Sequence, residues 1–151
     1  MLLVGDVMTV KLITLSPSDS LKTAREIMQK ARIRHLPILS AHGGFVGLLS
    51  QRDLLKASVS HFADVQAEVR EQIEAGIPVS EVMATDMLTI PPDMPLSQAA
   101  EMLLAHKIGC LPVLECGQLR GILTESDFVK LCLTFLERLQ AEPDDGTSKD
   151  T

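Results

Sequence analysis

The chain has no tryptophan, no tyrosine and only four phenylalanines. Platforms for single-stranded nucleic acid are built from aromatic side chains, so composition excludes that class of function. An excess of positive charge is missing too: 14 Lys and Arg stand against 20 Asp and Glu, a net charge of −6. Duplexes are held by clustered Lys and Arg that neutralise phosphates, so no nucleic-acid partner is expected. No apolar run approaches the ~20 residues of a membrane span. The opening Met1-Leu2-Leu3-Val4-Gly5-Asp6 lacks the basic stretch and apolar core of a secretory signal. A cytoplasmic protein with no membrane partner is expected. Cysteine is scarce and odd in number (Cys110, Cys116 and Cys132, with no C-x-x-C), so disulfides are not expected. His35, His42, His61 and His106 show neither i,i+4 pairing nor an H-E-x-x-H spacing, so no metal site is expected. What remains is an ordinary globular balance over 151 residues, 46% hydrophobic and 23% charged, enough for one domain or two small repeats sharing a core.

The sequence repeats itself. Val7-Met8 returns as Val82-Met83, an offset of 75 residues, and the same offset pairs Thr14 with Thr89, Pro17 with Pro92, Leu21 with Leu96 and Ala24 with Ala99. It continues through Ile33 with Ile108 and Leu36-Pro37 with Leu111-Pro112. One residue is then lost in a turn, and Gly47, Ser50 and Asp53 meet Gly121, Thr124 and Asp127. Two copies that cannot each bury an apolar face alone imply a pseudo-twofold pair.

Each copy reads as β-α-β-β-α, an α+β fold. A short extended segment (Leu12 to Leu15; Met87 to Ile90) precedes a Pro- and Ser- or Asp-bearing helix start. Leu21, Ala24, Ile27, Met28 and Ala31, and in the second copy Leu96, Ala99, Leu103 and Leu104, then follow at helical spacing. Leu36 to Leu39 and Leu111 to Leu114 read as strands. Pro37 and Pro112 cannot donate to a ladder, which predicts an edge or a strand start there. Gly43-Gly44 and Cys116-Gly117 mark hairpin turns, and a second helix starts at Ser50 or Thr124. The expected divisions are repeat 1 at 1–58, an inter-repeat helix and linker at 59–78, repeat 2 at 79–139 and a flexible acidic tail at 140–151. Val59, Phe62, Val65, Val69 and Ile73 form one apolar stripe, ended by Gly76 and Pro78, that either packs on its own domain or helps form a dimer seam. The Leu-rich last helix (Leu131, Leu133, Phe135, Leu136, Leu139) poses the same choice.

The chemistry gathers at Ser50-Gln51-Arg52-Asp53 and Thr124-Glu125-Ser126-Asp127. A hydroxyl followed three residues later by an acid is a helix capping pattern, which alone explains both residue types. The same geometry serves a ligand: a helix N-terminus offers unpaired N–H groups and partial positive charge to a phosphate, and a carboxylate one turn on can accept from a ribose diol. His35 is either ordinary strand-side structure or, beside Arg34, a source of charge for a phosphate.

In order and in duplicate, these motifs resemble a tandem pair of CBS domains, a Bateman module. The match runs over Val7-Met8-Thr9, Leu21-x-x-Ala24, Ile33-Arg34-His35-Leu36-Pro37-Ile38 and Gly47-x-x-Ser50-x-x-Asp53, and again from Val82-Met83 to Gly121-x-x-Thr124-x-x-Asp127. The resemblance implies regulatory binding of AMP, ADP, ATP or S-adenosylmethionine in clefts between the repeats. It implies a first cleft of Thr9, Ile13, Ile33, Arg34 and His35 with Thr124 and Asp127. A second would use Leu88, Ile108, Gly109 and Cys110 with Ser50 and Asp53. Ala84 in Thr9's place and Gly109-Cys110 in place of Arg34-His35 break the symmetry, and the second cleft is the weaker expectation. No P-loop and no G-x-S-x-G is found, so no catalysis is expected. The expected function is a homodimeric nucleotide sensor acting on a separate effector protein. The alternative is a ligand-free dimerisation scaffold.

Overall fold

The structure is a computed structural model that describes residues 1–62 and 66–141, and of these the side chains of 59–62 are left aside. The expected tail lies outside the described residues from residue 142 on. The elements run α1 (Val4–Val7), α2 (Leu21–Ala31), β1 (His35–Leu39), β2 (Phe45–Ser50), α3 (Gln51–Phe62), α4 (Ala67–Glu74), a 3-10 turn (Val79–Glu81), α5 (Leu96–His106), β3 (Cys110–Glu115), β4 (Gln118–Thr124) and α6 (Glu125–Ala141).

Two antiparallel hairpins form the sheets. β1 pairs β2 from His35↔Ser50 to Leu39↔Phe45, and β3 pairs β4 from Cys110↔Thr124 to Glu115↔Gln118. The second hairpin closes on Cys116 and Gly117, both at positive φ (53° and 78°), the mirror-image turn whose twist suits a two-residue connection. The first strand of each copy shrinks to one parallel bridge, Leu15↔Ile38 and Ile90↔Val113. Proline is the cause. Leu15 N–H donates to Pro37 O at 3.0 Å and Leu39 N–H donates to Leu15 O at 2.9 Å, so the polar edge of Pro37 faces the incoming segment. There proline has no N–H to donate, and the parallel ladder stops. Pro112 does the same to the segment ending at Ile90. As expected, the two prolines lie on edge strands, since β1 and β3 each belong to a two-stranded sheet. Both sit mid-strand, and it is the neighbouring strand that they shorten.

The opening segments are exchanged between the copies. Thr9 exchanges two hydrogen bonds with Ile122 of β4 (2.8 and 3.0 Å), and Ala84 exchanges two with Leu48 of β2 (both 2.9 Å). Val4 of α1 packs among Ile90, Leu96, Ala99, Leu103, Leu111 and Leu123, the core of the second copy. Val79 packs among Leu15, Leu21, Leu36, Ile38, Leu49 and Leu54, the core of the first. Glycine makes the crossing close: a Cβ on Gly121 would lie 2.7 Å from Thr9 O, and one on Gly47 would lie 2.7 Å from Met83 Sδ. Leu48, Cys110 and Ile122 join the two sheets in a third, smaller cluster.

The apolar stripe of the inter-repeat segment does not ride on one helix. Gln66 is extended (φ −65°, ψ 151°) and precedes α4, so Val69 and Ile73 belong to a helix separate from α3. Val65 and the side chains of Val59 and Phe62 lie outside the described residues. α4 is fastened by charge instead. Glu74, almost fully buried, accepts from Arg25 Nε at 3.0 Å and from Nη2 at 2.8 Å. Arg25 Nη2 also donates to Ser58 Oγ at 2.7 Å, tying α2, α3 and α4 together.

Candidate functional site

Two clefts open between the copies, each at the N-terminus of the helix that follows a hairpin. At α3, Ser50 is the cap: Asp53 N–H donates to Ser50 Oγ at 3.0 Å and Ser50 N–H donates to Asp53 Oδ2 at 2.9 Å, a reciprocal capping box. At α6, Asp127 Oδ2 accepts from Thr124 N–H at 2.9 Å and from the Thr124 hydroxyl at 3.3 Å, while Thr9 Oγ1 donates to Asp127 Oδ1 at 2.8 Å. The capping box is thus reciprocal at α3, whereas at α6 only the acid's half is made and the Thr124 hydroxyl turns to Asp127; both acids also border a cavity.

The opposite wall of each cleft is set by a helix end. α2 and α5 terminate in left-handed residues, Arg32 (φ 55°) and Lys107 (φ 53°), whose N–H groups donate to Met28 O and Leu103 O. Glycine is the usual residue there, and a side-chain-bearing residue costs roughly 1–2 kcal/mol. The turn swings Ile33-Arg34 and Ile108-Gly109 into the clefts, where Arg34 O accepts from Gln51 N–H (2.8 Å) and Gly109 O from Glu125 N–H (3.2 Å).

All seven residues assigned to the first cleft, Thr9, Ile13, Ile33, Arg34, His35, Thr124 and Asp127, line one cavity of about 430 Å³. All six assigned to the second, Leu88, Ile108, Gly109, Cys110, Ser50 and Asp53, line another of about 840 Å³. Both volumes fall in the ~300–1,000 Å³ range of small-molecule sites. Arg34, His35, Gly109 and Glu125 border both, so the clefts share a wall. The second cleft is the roomier. Cations that were not assigned to the clefts from the sequence also line these spaces. Lys11, Arg32 and Lys130 line the first, and Arg52 and Lys107 line the second beside Arg25, whose guanidinium is bound to Glu74. A protein of net charge −6 therefore turns Lys and Arg toward both cavities. Only Arg52, inside the Ser-x-x-Asp motif, and Lys130, one turn beyond Asp127, carried any signal in the sequence.

Burial decides what two of the residues can offer. It lowers the pKa of His35 below the ordinary 6.5, Arg34 adding to the fall while Asp53 and Glu125 oppose it. At neutral pH the ring is uncharged, so it presents an N–H or a lone pair rather than a charge. Burial, helped by the negative charge of Asp127, pushes the Cys110 thiol up to about 12. It stays protonated and acts as a small apolar wall residue. Among the described residues no group of three or more His, Cys, Asp or Glu could hold a metal ion, and no helix is long and apolar enough to cross a membrane.

Comparison with known proteins agrees with this architecture. The CBS domain family matches residues 4–60 and 79–134. The CBS domain-containing protein YhcV of Bacillus subtilis is 29% identical over 124 residues, 82% of this chain and 81% of that one. Other relatives are longer: homoserine O-acetyltransferase of Methanococcoides burtonii is 31% identical, but the chain spans only 24% of its length. The crystal structure of a putative acetoin utilization protein (AcuB) from Vibrio cholerae superposes with a TM-score of 0.78 at 38% identity, covering 95% of this chain and 99% of that one. CBSX2 in complex with AMP gives 0.74 at 30% identity, covering 90% and 99%. The CBS domain pair of MJ0100, in complex with 5′-methylthioadenosine and S-adenosyl-L-methionine, gives 0.73 at 26% identity, covering 87% and 99%. With two matched units that exchange their opening segments around a shared pair of clefts, the chain belongs to the CBS domain family as a tandem pair of α+β repeats.

Proposed function

We propose that the chain is a non-catalytic sensor that binds an adenine nucleotide or an adenosyl ligand between its repeats and signals to a separate effector protein. The observation that carries this reading is the coincidence, in both clefts, of a hydroxy-acid pair at a helix N-terminus with a cation-lined cavity of ligand size. A ribose diol suits the carboxylate, and phosphates suit the helix end and the surrounding Arg and Lys. In the second cleft Leu48, Met87, Leu88 and Ile108 supply an apolar bed for a base. The AMP and S-adenosyl-L-methionine held by the related structures belong to the same ligand class. A reducing, cytoplasmic setting suits the free thiols of Cys110, Cys116 and Cys132.

The test is a thermal-shift panel of AMP, ADP, ATP and S-adenosylmethionine at millimolar concentration, with mass spectrometry of any ligand carried through purification. At a hundred times the dissociation constant one site stabilises the fold by about 2.7 kcal/mol. That is roughly 5–11 °C for a chain of this size. No shift with any of the four, and no carried ligand, leaves the scaffold reading in its place.

A further inference from the structure

The clefts are related by the duplication, yet their carboxylates are not equivalent. In the first cleft both oxygens of Asp127 are taken, Oδ2 by Thr124 and Oδ1 by the Thr9 hydroxyl at 2.8 Å, and the residue is only 6% exposed. In the second cleft Asp53 Oδ2 accepts from Ser50 N–H, and among the described residues no donor reaches Oδ1. Asp53 is also less buried than Asp127. The backbone does not make this difference. Thr9 and Ala84 occupy the same position in the exchange, each paired by two hydrogen bonds to the residue after a strand glycine, Ile122 or Leu48. One side chain does: a hydroxyl stands over Asp127, and a methyl stands at the matching place in the second cleft.

We infer that Thr9 and Ala84 decide which cleft accepts a vicinal diol. Thr9 is β-branched, so its hydroxyl has few rotamers to retreat to, and it satisfies the Asp127 carboxylate in place of a ribose. Ala84 leaves Asp53 Oδ1 open toward the larger cavity. The second cleft is then the nucleoside site, with Asp53 as the diol acceptor, and the first cleft binds diols only when Thr9 is displaced. This inference rests on the nucleotide-sensor reading and adds to it the identity of the site and the residue pair that selects it.

The experiment is calorimetric titration of AMP, with 2′,3′-dideoxy-AMP as the probe lacking the diol, into the wild type and into Ala84→Thr, Ala84→Ser, Thr9→Ala and Asp53→Asn. Ligand-free melting curves check that each variant is folded, and the serine variant supplies the hydroxyl should the threonine variant misfold. The wild type takes one AMP per chain at high affinity. Losing a charge-assisted bond to the diol weakens binding roughly tenfold to a hundredfold, and that loss appears in Asp53→Asn and with the dideoxy probe. Ala84→Thr or Ala84→Ser weakens AMP at least severalfold, and Thr9→Ala raises the stoichiometry to two. Unchanged affinity in both Ala84 variants, or an unchanged single site in Thr9→Ala, overturns the selection role while leaving nucleotide binding standing. Failure of the wild type to bind AMP, ADP, ATP or S-adenosylmethionine overturns both.

Discussion

Replacing Arg25 tests the most deeply buried charge among the described residues. Glu74 has a side chain only 2% exposed, while Arg25 is 26% exposed. The pair is bidentate, at 3.0 and 2.8 Å, with Ser58 bridging. Arg25→Met removes both bonds and leaves a buried carboxylate with Ser58 as its one remaining partner. Breaking a buried pair from one side costs about 3–5 kcal/mol. The guanidinium is partly solvated in the wild type, so the lower end applies, about 3 kcal/mol or roughly 6–12 °C in melting temperature. Glu74→Leu should cost less, on the order of 1–2 kcal/mol, because the remaining guanidinium keeps Ser58 and can turn to water. The double variant Arg25→Met with Glu74→Leu removes both charges and fills the space with apolar groups, so it should be more stable than Arg25→Met alone. Urea denaturation of the four proteins at pH 7 measures the cycle. Costs that simply add, or an Arg25→Met loss below about 1 kcal/mol, would refute the claim that this pair holds α4 in place.

Three further outcomes follow from the geometry. Gly121→Ala should destabilise more than Gly47→Ala, within the ~1–3 kcal/mol range of overpacking, because its Cβ meets a backbone oxygen at 2.7 Å whereas that of Gly47 first meets a movable methionine sulfur; melting curves that reverse the order would count against the close crossing of the opening segments. His35 binds its proton more weakly in the folded chain than in the unfolded one, so stability is complete above pH 6.5 and declines as pH falls from there toward the lowered folded value; His35→Gln should flatten that decline in urea titrations between pH 5 and 7.5, and an unaltered slope would assign it to other groups. The outward faces of α6 leave Val129, Leu133, Leu136 and Leu139 at least half exposed, which we propose as a dimer seam; light scattering should report a dimer at micromolar concentration and a monomer for Leu133→Glu, and a wild-type monomer throughout would remove the seam.

The parts of this structure legible in the sequence were those encoded locally. The two hairpin turns and the Ser50/Asp53 and Thr124/Asp127 pairs each lie within a few residues, and the duplication repeats each of them, so the copies check one another. Residues assigned to the two clefts from the family pattern do converge on two cavities. The crossing of the opening segment was implied only by the family resemblance, which set Thr9 with Thr124 and Asp127; the packing of α1 in the second core was not legible, because Val4–Val7 is too short to show a period. Arg25 and Glu74 lie 49 residues apart, and Ala100 stands where a second Arg25 would be, so no repetition drew attention to them. Pro37 marks an edge strand for a simple reason. A strand has two polar edges, and a proline mid-strand is harmless to one neighbour while it truncates the other.

The exchange of opening segments also makes each copy depend on the other. A single unit cut free would expose the pocket that Val79 fills and carry an α1 whose Val4 has nowhere to go. Two identical copies would cure both defects by lending each other their first residues. The interlock is thus the kind that two separate chains could make, with the linker between the copies acting as a tether. The tether lets the copies differ, since a threonine at one crossing and an alanine at the other is a difference that identical subunits could never hold. Separately produced halves, 1–76 and 77–141, should remain unfolded alone and reconstitute the native far-UV spectrum on mixing.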